Sequence, residues 1–243
     1  MIFITTIHDV EGNLLEFLDS TYLALSSIFN EIYVTVSNRT CPTVIQKCLE
    51  LFNNVKIIPK KGAADARRQV LKLALDDENR NGNGFIFYCD FDRVVTWIKT
   101  DINSLQELAR RESYFSNIYD YIVIGRTLEA FNSHPNSWKE TEKITNLIAS
   151  LIFHIEDLDI TAGAAMLSYK YANIIALYSK HSHTDCEWPF IVRNHLGKIG
   201  SFKTSGLQFE KINEARKTTL QAEYYGRLKL SCYILSIFEE KGL

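Results

Sequence analysis

Residues 85–92 read Phe-Ile-Phe-Tyr-Cys-Asp-Phe-Asp, an apolar run that passes directly into acidic residues. The run follows Asn-Gly-Asn-Gly at 81–84, a sequence typical of turns, and its length and aromatic content predict a strand over 85–89. A strand without polar alternation is usually buried on both faces, as in the centre of a parallel sheet. The stretch therefore predicts a central strand whose carboxyl end carries Asp90 and Asp92.

Three strand and helix units precede this strand. The pattern predicts strands over 2–7, 32–36 and 55–58 and helices over 12–29, 44–52 and 63–75, with Pro42 in a first helical turn and a surface loop over 76–84. Such alternation is typical of right-handed βαβ units. The predicted fold class is α/β, an open and mostly parallel sheet with helices on both faces.

The second half of the chain continues the alternation less regularly. Strands are predicted over 121–124 and 164–168, helices over 137–155 and 171–178, and a long helical tail over 207–238. No repeat, low-complexity segment or proline-rich linker marks a boundary. We expect a main domain over 1–205 and a helical C-terminal appendage over 206–243.

Composition limits the classes of partner. The 243 residues carry 27 Lys and Arg against 29 Asp and Glu, a formal net charge of -2, which argues against a nucleic-acid partner. The longest apolar run, 147–155, is too short for a transmembrane span, and the sequence shows no secretory signal. Five scattered cysteines predict reduced thiols. We expect a cytoplasmic protein.

Asp90 and Asp92 are the first candidate site. Side chains two apart in an extended segment project to the same side, so the two carboxylates are expected to converge. Converging like charges favour a hard divalent cation, Mg²⁺ or Mn²⁺, bridged to phosphate oxygens. The alternative is a solvated acidic turn in which Asp92 only caps a helix.

Two further segments carry candidate chemistry. Gly62 and Arg67 belong to a small-residue helix start that favours an anion, although Arg67 could also be a solvated arginine paired with Asp65. Asp185 and Trp188 could supply a general base and a stacking surface for an acceptor, or a helix N-cap and a core residue. His181 and His183 stand just before, as metal or phosphate contacts or as ordinary loop histidines.

These residues together resemble the nucleotide-sugar-dependent glycosyltransferases of the GT-A fold, most closely the family-2-like branch, over about residues 1–200. The resemblance rests on five segments in a shared order: Thr5-Thr6-Ile7-His8-Asp9, Gly62-x-x-x-Ala66-Arg67, Asp90-Phe91-Asp92, Thr161-Ala162-Gly163-Ala164-Ala165-Met166-Leu167, and Asp185-x-Glu187-Trp188 followed by Gly197-Lys198-Ile199.

The resemblance implies a nucleotide-diphospho-sugar donor lying across the first four strand ends. It implies Thr6, Asp9 and Asn38 at the base and ribose, with Gly62, Arg67 and Asp90 completing the donor site. It places Mn²⁺ or Mg²⁺ on Asp90 and Asp92, a catalytic base at Asp185 if the reaction inverts the anomeric centre, and an unidentified hydroxyl acceptor near Gly163, Glu187 and Trp188.

Two other functions remain open from the sequence. A nucleotidyltransferase shares the α/β sheet and the metal but usually carries a Gly-rich phosphate loop after the first strand, where this chain has only Gly12. A non-catalytic α/β binding or scaffold protein would keep the fold without turnover. Metal-dependent nucleotide binding would disfavour that last class.

Overall fold

The computed structural model describes residues 1–76, 84–213 and 219–240, and one seven-stranded sheet runs through them. Its strands are β1 (Ile2–Ile7), β2 (Glu31–Ser37), β3 (Asn54–Ile58), β4 (Phe85–Cys89), β5 (Tyr121–Arg126), β6 (Ala164–Ser168) and β7 (Ile199–Thr204). The described helices are α1 (Leu18–Ile28), α2 (Pro42–Leu51), α3 (Ala63–Leu75), α4 (Phe91–Arg110, kinked at Asp101), α5 (Glu112–Ser116), α6 (Leu128–Asn132), α7 (Asn136–Phe153), α8 (Tyr169–Tyr178), α9 (Thr184–Asn194) and α10 (Leu220–Glu240).

The strand order is β3-β2-β1-β4-β6-β5-β7, so the apolar strand β4 lies in the middle of the sheet. Strand β6 is antiparallel to both of its neighbours, β4 and β5, and the other paired strands are parallel. The predicted open and mostly parallel sheet is therefore confirmed. Because β6 runs backwards, its first residue, Ala164, pairs with the last residue of β4, Cys89.

Two helical layers cover the sheet. Successive side chains along a strand point to opposite faces, so a strand that is buried throughout needs a layer on each face. Phe87 of β4 packs on one face in a core shared with α1, α2 and α4, while Ile86 and Tyr88 pack on the other face with α3, α7, α8 and α9. The expected helices on both faces are confirmed. All five residues of β4 are buried, as the apolar run predicts.

The structure differs from the sequence interpretation in several elements. In the predicted helix over 207–238, residues 207–210 are not helical, Lys211–Asn213 form a 3-10 turn, and helix α10 is described from Leu220. Helices α4, α5 and α6 and strand β7 were not predicted. The predicted loop over 76–84 lies mostly outside the described residues.

Helix α10 packs against α7 and α9, where the rings of Phe153, Phe190 and Phe238 meet edge to face. The division of the chain at residue 205 remains a prediction. Within the described ranges, no helix combines the length and the apolar character needed to cross a membrane.

Candidate active site

A cavity of about 500 Å³ opens at the carboxyl ends of the parallel strands. Its wall is built from the first turn of α3, the end of β4, the residue before β6 and the first turn of α9, and α7 and α10 complete it. The carboxyl edge of an open α/β sheet is the usual place for a ligand. Of the predicted site residues, the cavity brings together Gly62, Arg67, Asp90, Asp92, Gly163 and Asp185.

Arg67 connects two of the predicted carboxylates. From α3, its Nη2 donates to Asp90 Oδ2 at 3.0 Å, and its Nη1 donates to Asp185 Oδ1 at 3.0 Å and to Thr184 Oγ1 at 2.9 Å. Its Nε donates to the hydroxyl of Tyr88 at 2.8 Å, and that hydroxyl in turn donates to Asp90. One guanidinium therefore joins α3, β4 and α9, and the alternative of a solvated arginine paired with Asp65 is wrong.

The electrostatics of Arg67 follow from this arrangement. Burial alone would lower the pKa of its guanidinium, but the charges of Asp185 and Asp90 outweigh burial and raise that pKa above its ordinary value. A buried cation of this kind is stable only because its hydrogen-bonding capacity is used. The side chain is thus a fixed positive charge on the cavity wall.

Asp90 and Asp92 do not lie on an extended segment. Asp90 is the N-cap of α4, and Asp92 lies in the first turn of that helix, so the expectation of two carboxylates projecting from a strand is wrong in its local geometry. Both side chains nevertheless line the cavity. Asn213 fixes Asp92, its Nδ2 donating to Asp92 Oδ2 at 2.9 Å.

The carboxyl of Asp92 is electrostatically costly in its ionised form. Burial raises its pKa, the charge of Arg93 opposes that rise, and the charge of Asp90 adds to it. The two aspartates therefore repel each other across a short distance, as their pattern in the sequence suggests. A cation placed between them would remove this cost.

Asp185 lies in the first turn of α9, where the helix dipole favours a negative charge. Its Oδ1 accepts from Arg67, and no hydrogen bond to Oδ2 is found within the described ranges. The side chain lines the cavity. The residue predicted as a base therefore lies at the cavity, and its catalytic role stays a prediction.

Two glycines on the cavity wall have positive φ angles, and one of them, Gly163, brings the backbone close to Asp90. Gly62 caps α3 with a φ of 104°, a conformation that residues with a side chain rarely adopt. Gly163 has a φ of 76°, and a Cβ atom there would come within 2.8 Å of Asp90 Oδ2. Its carbonyl also accepts from the backbone N–H of Asp90 at 3.3 Å.

The remaining donor-side predictions lie at the first two strand ends. Thr6 contacts the hydroxyl of Tyr88. The carboxylate of Asp9 accepts from the backbone N–H groups of Gly12 and Leu14 at 3.0 and 2.8 Å, which closes the loop after β1. Asn38 is exposed, and its Oδ1 accepts from the backbone of Lys60 at 3.1 Å. Their contact with a nucleotide stays a prediction.

The predicted acceptor residues Glu187 and Trp188 lie inside the molecule and not on the cavity wall. Glu187 accepts from the backbone N–H groups of Lys180 and His181 at 2.5 and 2.6 Å and from the Ser179 hydroxyl at 2.5 Å. Trp188 is 2% exposed and donates to the same hydroxyl at 3.2 Å. These contacts fix the loop before α9 and give Trp188 the position of a core residue.

The two histidines of this loop have separate surroundings. His181 is buried, with Nε2 at 3.0 Å from the hydroxyl of Ser236 on α10. His183 lines the cavity and stacks on Tyr233 at 5.5 Å. Burial lowers the pKa of His183, and the charges of neighbouring His181 and Arg67 act in the same direction.

No protein-family model and no curated protein sequence matches this chain. In three dimensions it is similar to glucosyl-3-phosphoglycerate synthase from Mycobacterium tuberculosis bound to UDP, with a TM-score of 0.58 and 13% identity over 97% of this chain and 79% of that one. The same enzyme with Mn²⁺, UDP-glucose and phosphoglyceric acid gives a TM-score of 0.57 and 14% identity over 97% and 79%.

The chain has the GT-A fold. It is also similar to 4-diphosphocytidyl-2C-methyl-D-erythritol synthase from Anaerococcus prevotii, with a TM-score of 0.50 and 13% identity over 94% of this chain and 96% of that one. At these identities the similarity establishes the fold and not the reaction.

On this GT-A fold, Asp90 and Asp92 are the residues that could hold a divalent metal. Over the described part of the chain, no group of three His, Cys, Asp or Glu side chains could enclose an ion. Mg²⁺ and Mn²⁺ prefer oxygen ligands, and proteins often hold Mg²⁺ with one or two carboxylates while substrate phosphates and water supply the rest. As two carboxylates on one cavity wall, Asp90 and Asp92 fit a metal site of this kind.

Sequence reasoning missed the part of the cavity formed by α4, α7 and α10. Its polar residues include Arg93, Glu142 and Arg227, and behind them Arg126 of β5 pairs with Asp159 at 2.7 Å. Arg93 directly follows Asp92 in the sequence, and this adjacency could have indicated that Arg93 lies at the same cavity. Arg126 was overlooked because the predicted strand ended at residue 124.

Proposed function

We propose that this chain is a glycosyltransferase that moves a sugar from a nucleotide-diphospho-sugar to a hydroxyl acceptor. The observation that carries the proposal is the convergence of Arg67, Asp90, Asp92 and Asp185 on one cavity at the strand ends of a GT-A fold. Structures of similar fold hold UDP-glucose with Mn²⁺, or UDP with Mg²⁺, which supports this donor class and these ions.

The donor diphosphate would lie against the first turn of α3. The small residues Gly62, Ala63 and Ala64 line the cavity there and allow close approach to free backbone N–H groups. Arg67, as a fixed positive charge on the same wall, would stabilise electrostatically the negative charge that develops on the departing nucleoside diphosphate. A divalent ion on Asp90 and Asp92, when bound, would supply Lewis-acid stabilisation of the same charge.

Asp185 is the residue that we expect to deprotonate the acceptor hydroxyl in an inverting reaction. Arg67 donates to Asp185 Oδ1 and is itself held by Thr184, which leaves Oδ2 as the oxygen of this cavity-lining carboxylate without a described hydrogen bond. The hydroxyl proton would move to Oδ2 as the acceptor oxygen attacks the sugar. A retaining reaction would not use this base.

A second candidate is a nucleotidyltransferase. The similarity to 4-diphosphocytidyl-2C-methyl-D-erythritol synthase favours it, because that enzyme is named for a diphosphocytidyl product and covers nearly the whole chain. The two candidates differ in which bond of the nucleotide breaks. Incubation with a nucleoside triphosphate and with a nucleotide sugar, followed by assay for pyrophosphate and for nucleoside diphosphate, separates them.

Nucleotide binding tests the proposal directly. A thermal-shift panel of UDP, GDP, CDP, ADP and dTDP, each with and without Mn²⁺, should give a metal-dependent rise of Tm with one nucleotide. No shift with any of the five would contradict the proposed donor class and favour a scaffold.

The variant Asp92→Asn should make the fold more stable while it weakens Mn²⁺-dependent nucleotide binding. Because burial raises the pKa of Asp92, the ionised carboxylate destabilises the fold above that pKa, and the neutral amide should raise Tm by roughly 2 °C near pH 7. This gain should vanish as the pH falls below the ordinary aspartate pKa of 3.8, where both side chains are neutral.

The same variant should lose the Mn²⁺-dependent part of the nucleotide shift. Asp157→Asn, on an exposed turn, is the matched control and should keep the full response. Equal nucleotide and Mn²⁺ binding by Asp92→Asn and the parent chain would exclude Asp92 from the metal site.

A further inference from the structure

One part of the cavity wall brings two arginine side chains close to the ring of one tryptophan. It is formed by the first turn of α4, by α7 and by α10, which contribute Arg93, Trp138, Glu142 and Arg227. Sequence analysis assigned no role to these residues, and the mechanism above does not use them. Arg67, Asp90 and Asp185 belong to a separate hydrogen-bond network.

Arg93 has a neutral partner. Its Nη1 lies 2.7 Å from Nε2 of His134, and the other ring nitrogen of His134, Nδ1, lies 2.9 Å from the carbonyl of Ala130. A carbonyl can only accept, so Nδ1 carries the proton and Nε2 accepts from Arg93. Burial, together with the charges of Arg126 and Arg93, lowers the pKa of His134 to about 3, so the imidazole brings no charge.

No carboxylate among residues 1–76, 84–213 and 219–240 forms an ion pair with Arg93. The charge of Arg93 acts to lower the pKa of Asp92, but the two side chains do not form an ion pair. Arg93 is nevertheless 8% exposed, and such a buried charge is normally paired. Its guanidinium lies 5.3 Å from the ring of Trp138.

Arg227 approaches the same indole from α10, with its guanidinium carbon 3.0 Å from the ring centroid of Trp138. Its acidic neighbour is Glu142, at 3.7 Å, and Glu142 is shared with Arg126 at 2.8 Å. Arg126 in turn makes a bidentate pair with Asp159. Arg227 therefore has no carboxylate of its own among the described ion pairs, because Glu142 also pairs with the buried Arg126.

The pKa of Arg227 reflects these surroundings. Burial lowers it to about 10, and the charges of Arg93 and Arg126 act in the same direction against the opposing charges of Glu142 and Glu223. An arginine that is crowded by other arginines gains from a bound anion. Guanidinium groups suit phosphate and carboxylate groups in particular, because their N–H donors match the spacing of two oxygens.

We propose that Arg93 and Arg227 form an anion subsite that binds the phosphate or carboxylate group of an acidic acceptor. This assignment to the acceptor rests on the proposed function, because Arg67, the first turn of α3 and the two aspartates already serve the donor diphosphate. The subsite and Asp185 line the same cavity, so an acceptor held by its anion at Arg227 would share the enclosed space with the base.

Direct binding of simple anions tests the subsite on the full-length chain. Thermal shifts are measured with inorganic phosphate and, separately, with acetate, at constant ionic strength in chloride and without metal. Nucleotide and Mn²⁺ are measured in a separate, phosphate-free series. The variants are Arg227→Gln and Arg227→Lys, with Arg110→Gln, exposed at the far end of α4, as the control.

Phosphate should raise the Tm of the parent chain and of Arg110→Gln by roughly 3 °C or more at saturation. Arg227→Gln should need roughly 10- to 100-fold more phosphate, the loss expected for one charge-assisted hydrogen-bonding partner, and Arg227→Lys should fall between. A response to acetate as strong as that to phosphate would assign a carboxylate instead. All variants should keep the nucleotide response, which also reports their folding.

Four results would contradict the subsite, its assignment to the acceptor or the proposed function. A parent chain that responds to neither anion, or an Arg227→Gln variant that responds like the parent, overturns the subsite. An Arg227→Gln variant that loses the nucleotide response as well overturns its assignment to the acceptor, because Arg227 would then serve the donor. A parent chain that binds phosphate through Arg227 and binds no nucleotide contradicts the proposed function and leaves the subsite standing.

Discussion

At the scale of single residues, the site depends on how closely Gly163 approaches Asp90. A Cβ at Gly163 would lie 2.8 Å from the carboxylate oxygen that pairs with Arg67, so the missing side chain is what allows the ion pair to form beside β6. The positive φ at this residue adds a second reason for glycine.

Gly163→Ala should therefore lower the free energy of unfolding by roughly 2–4 kcal/mol, because it combines backbone strain with a clash against a fixed charge. Gly62→Ala is the control, since its φ is also positive but no atom lies within 4 Å of the added Cβ, and it should cost only about 1–2 kcal/mol. Urea denaturation of both variants measures the difference. Equal losses would show that the approach to Asp90 carries no steric cost.

The meeting of single residues in one cavity follows from the predicted strand ends, whereas their hydrogen-bond partners were not predicted, and their chemical roles stay predictions. Arg67, Asp90 and Asp185 meet because three strand or helix termini share one edge of the sheet, which the α/β pattern predicts. The sequence does not show that Glu187 binds the backbone of its own loop. An acidic residue before an aromatic one gives the same pattern whether it lines a cavity or is buried in the protein.

At the scale of elements, strands and helices with a strong apolar pattern were predicted almost to the residue, as for β1 and α3. Helix α4 was missed because it begins directly at the end of β4, so that its acidic first turn resembles the end of a strand. Strand β7 was missed because it lies at the sheet edge and reads Ile-Gly-Ser-Phe-Lys-Thr, with few apolar residues.

Helix α10 offers a prediction at this scale, because its last turns bury apolar side chains while its middle stays exposed. Phe238 is 4% exposed and meets the rings of Phe153 and Phe190, so Phe238→Ala should lower the free energy of unfolding by about 3–5 kcal/mol. Tyr225, on the same helix, is 70% exposed, and Tyr225→Ala should change it by less than about 0.5 kcal/mol.

Chemical denaturation of the two variants measures the contribution of α10 to the common core. If Phe238→Ala were no less stable than Tyr225→Ala, the end of α10 would be a loosely attached appendage.

At the scale of the whole molecule, the sequence predicted the fold class and the two covering layers, because both follow from the alternation of apolar segments. It did not predict the reversal of β6. Nothing in the five residues of a buried strand records its direction, which depends on where the chain returns to the sheet.

The stability of the whole chain should depend on His134 in mild acid. Its pKa in the folded protein is about 3, against an ordinary value of 6.5, so below pH 6.5 the unfolded chain takes up a proton that the folded protein does not. Stability is therefore complete above pH 6.5 and is lost as the pH falls towards 3, by up to about 1.4 kcal/mol per pH unit.

His134→Gln removes this titration and should flatten the dependence of Tm on pH across the same window. His154→Asn is the control, because His154 is exposed and its left-handed backbone suits asparagine. A slope for His134→Gln equal to that of the control would show that His134 is protonated in the folded protein.

The position of β6 also affects how the chain is made. Strand β4 finds its second neighbour only in β6, whose residue Ser168 pairs with Phe85, 83 positions earlier in the sequence. At ordinary synthesis rates, roughly 4 to 17 seconds separate the two on the ribosome. Throughout that interval a nascent chain displays the open edge of its most apolar strand, so the strand that ends in the centre of the finished sheet is unprotected on one side during translation.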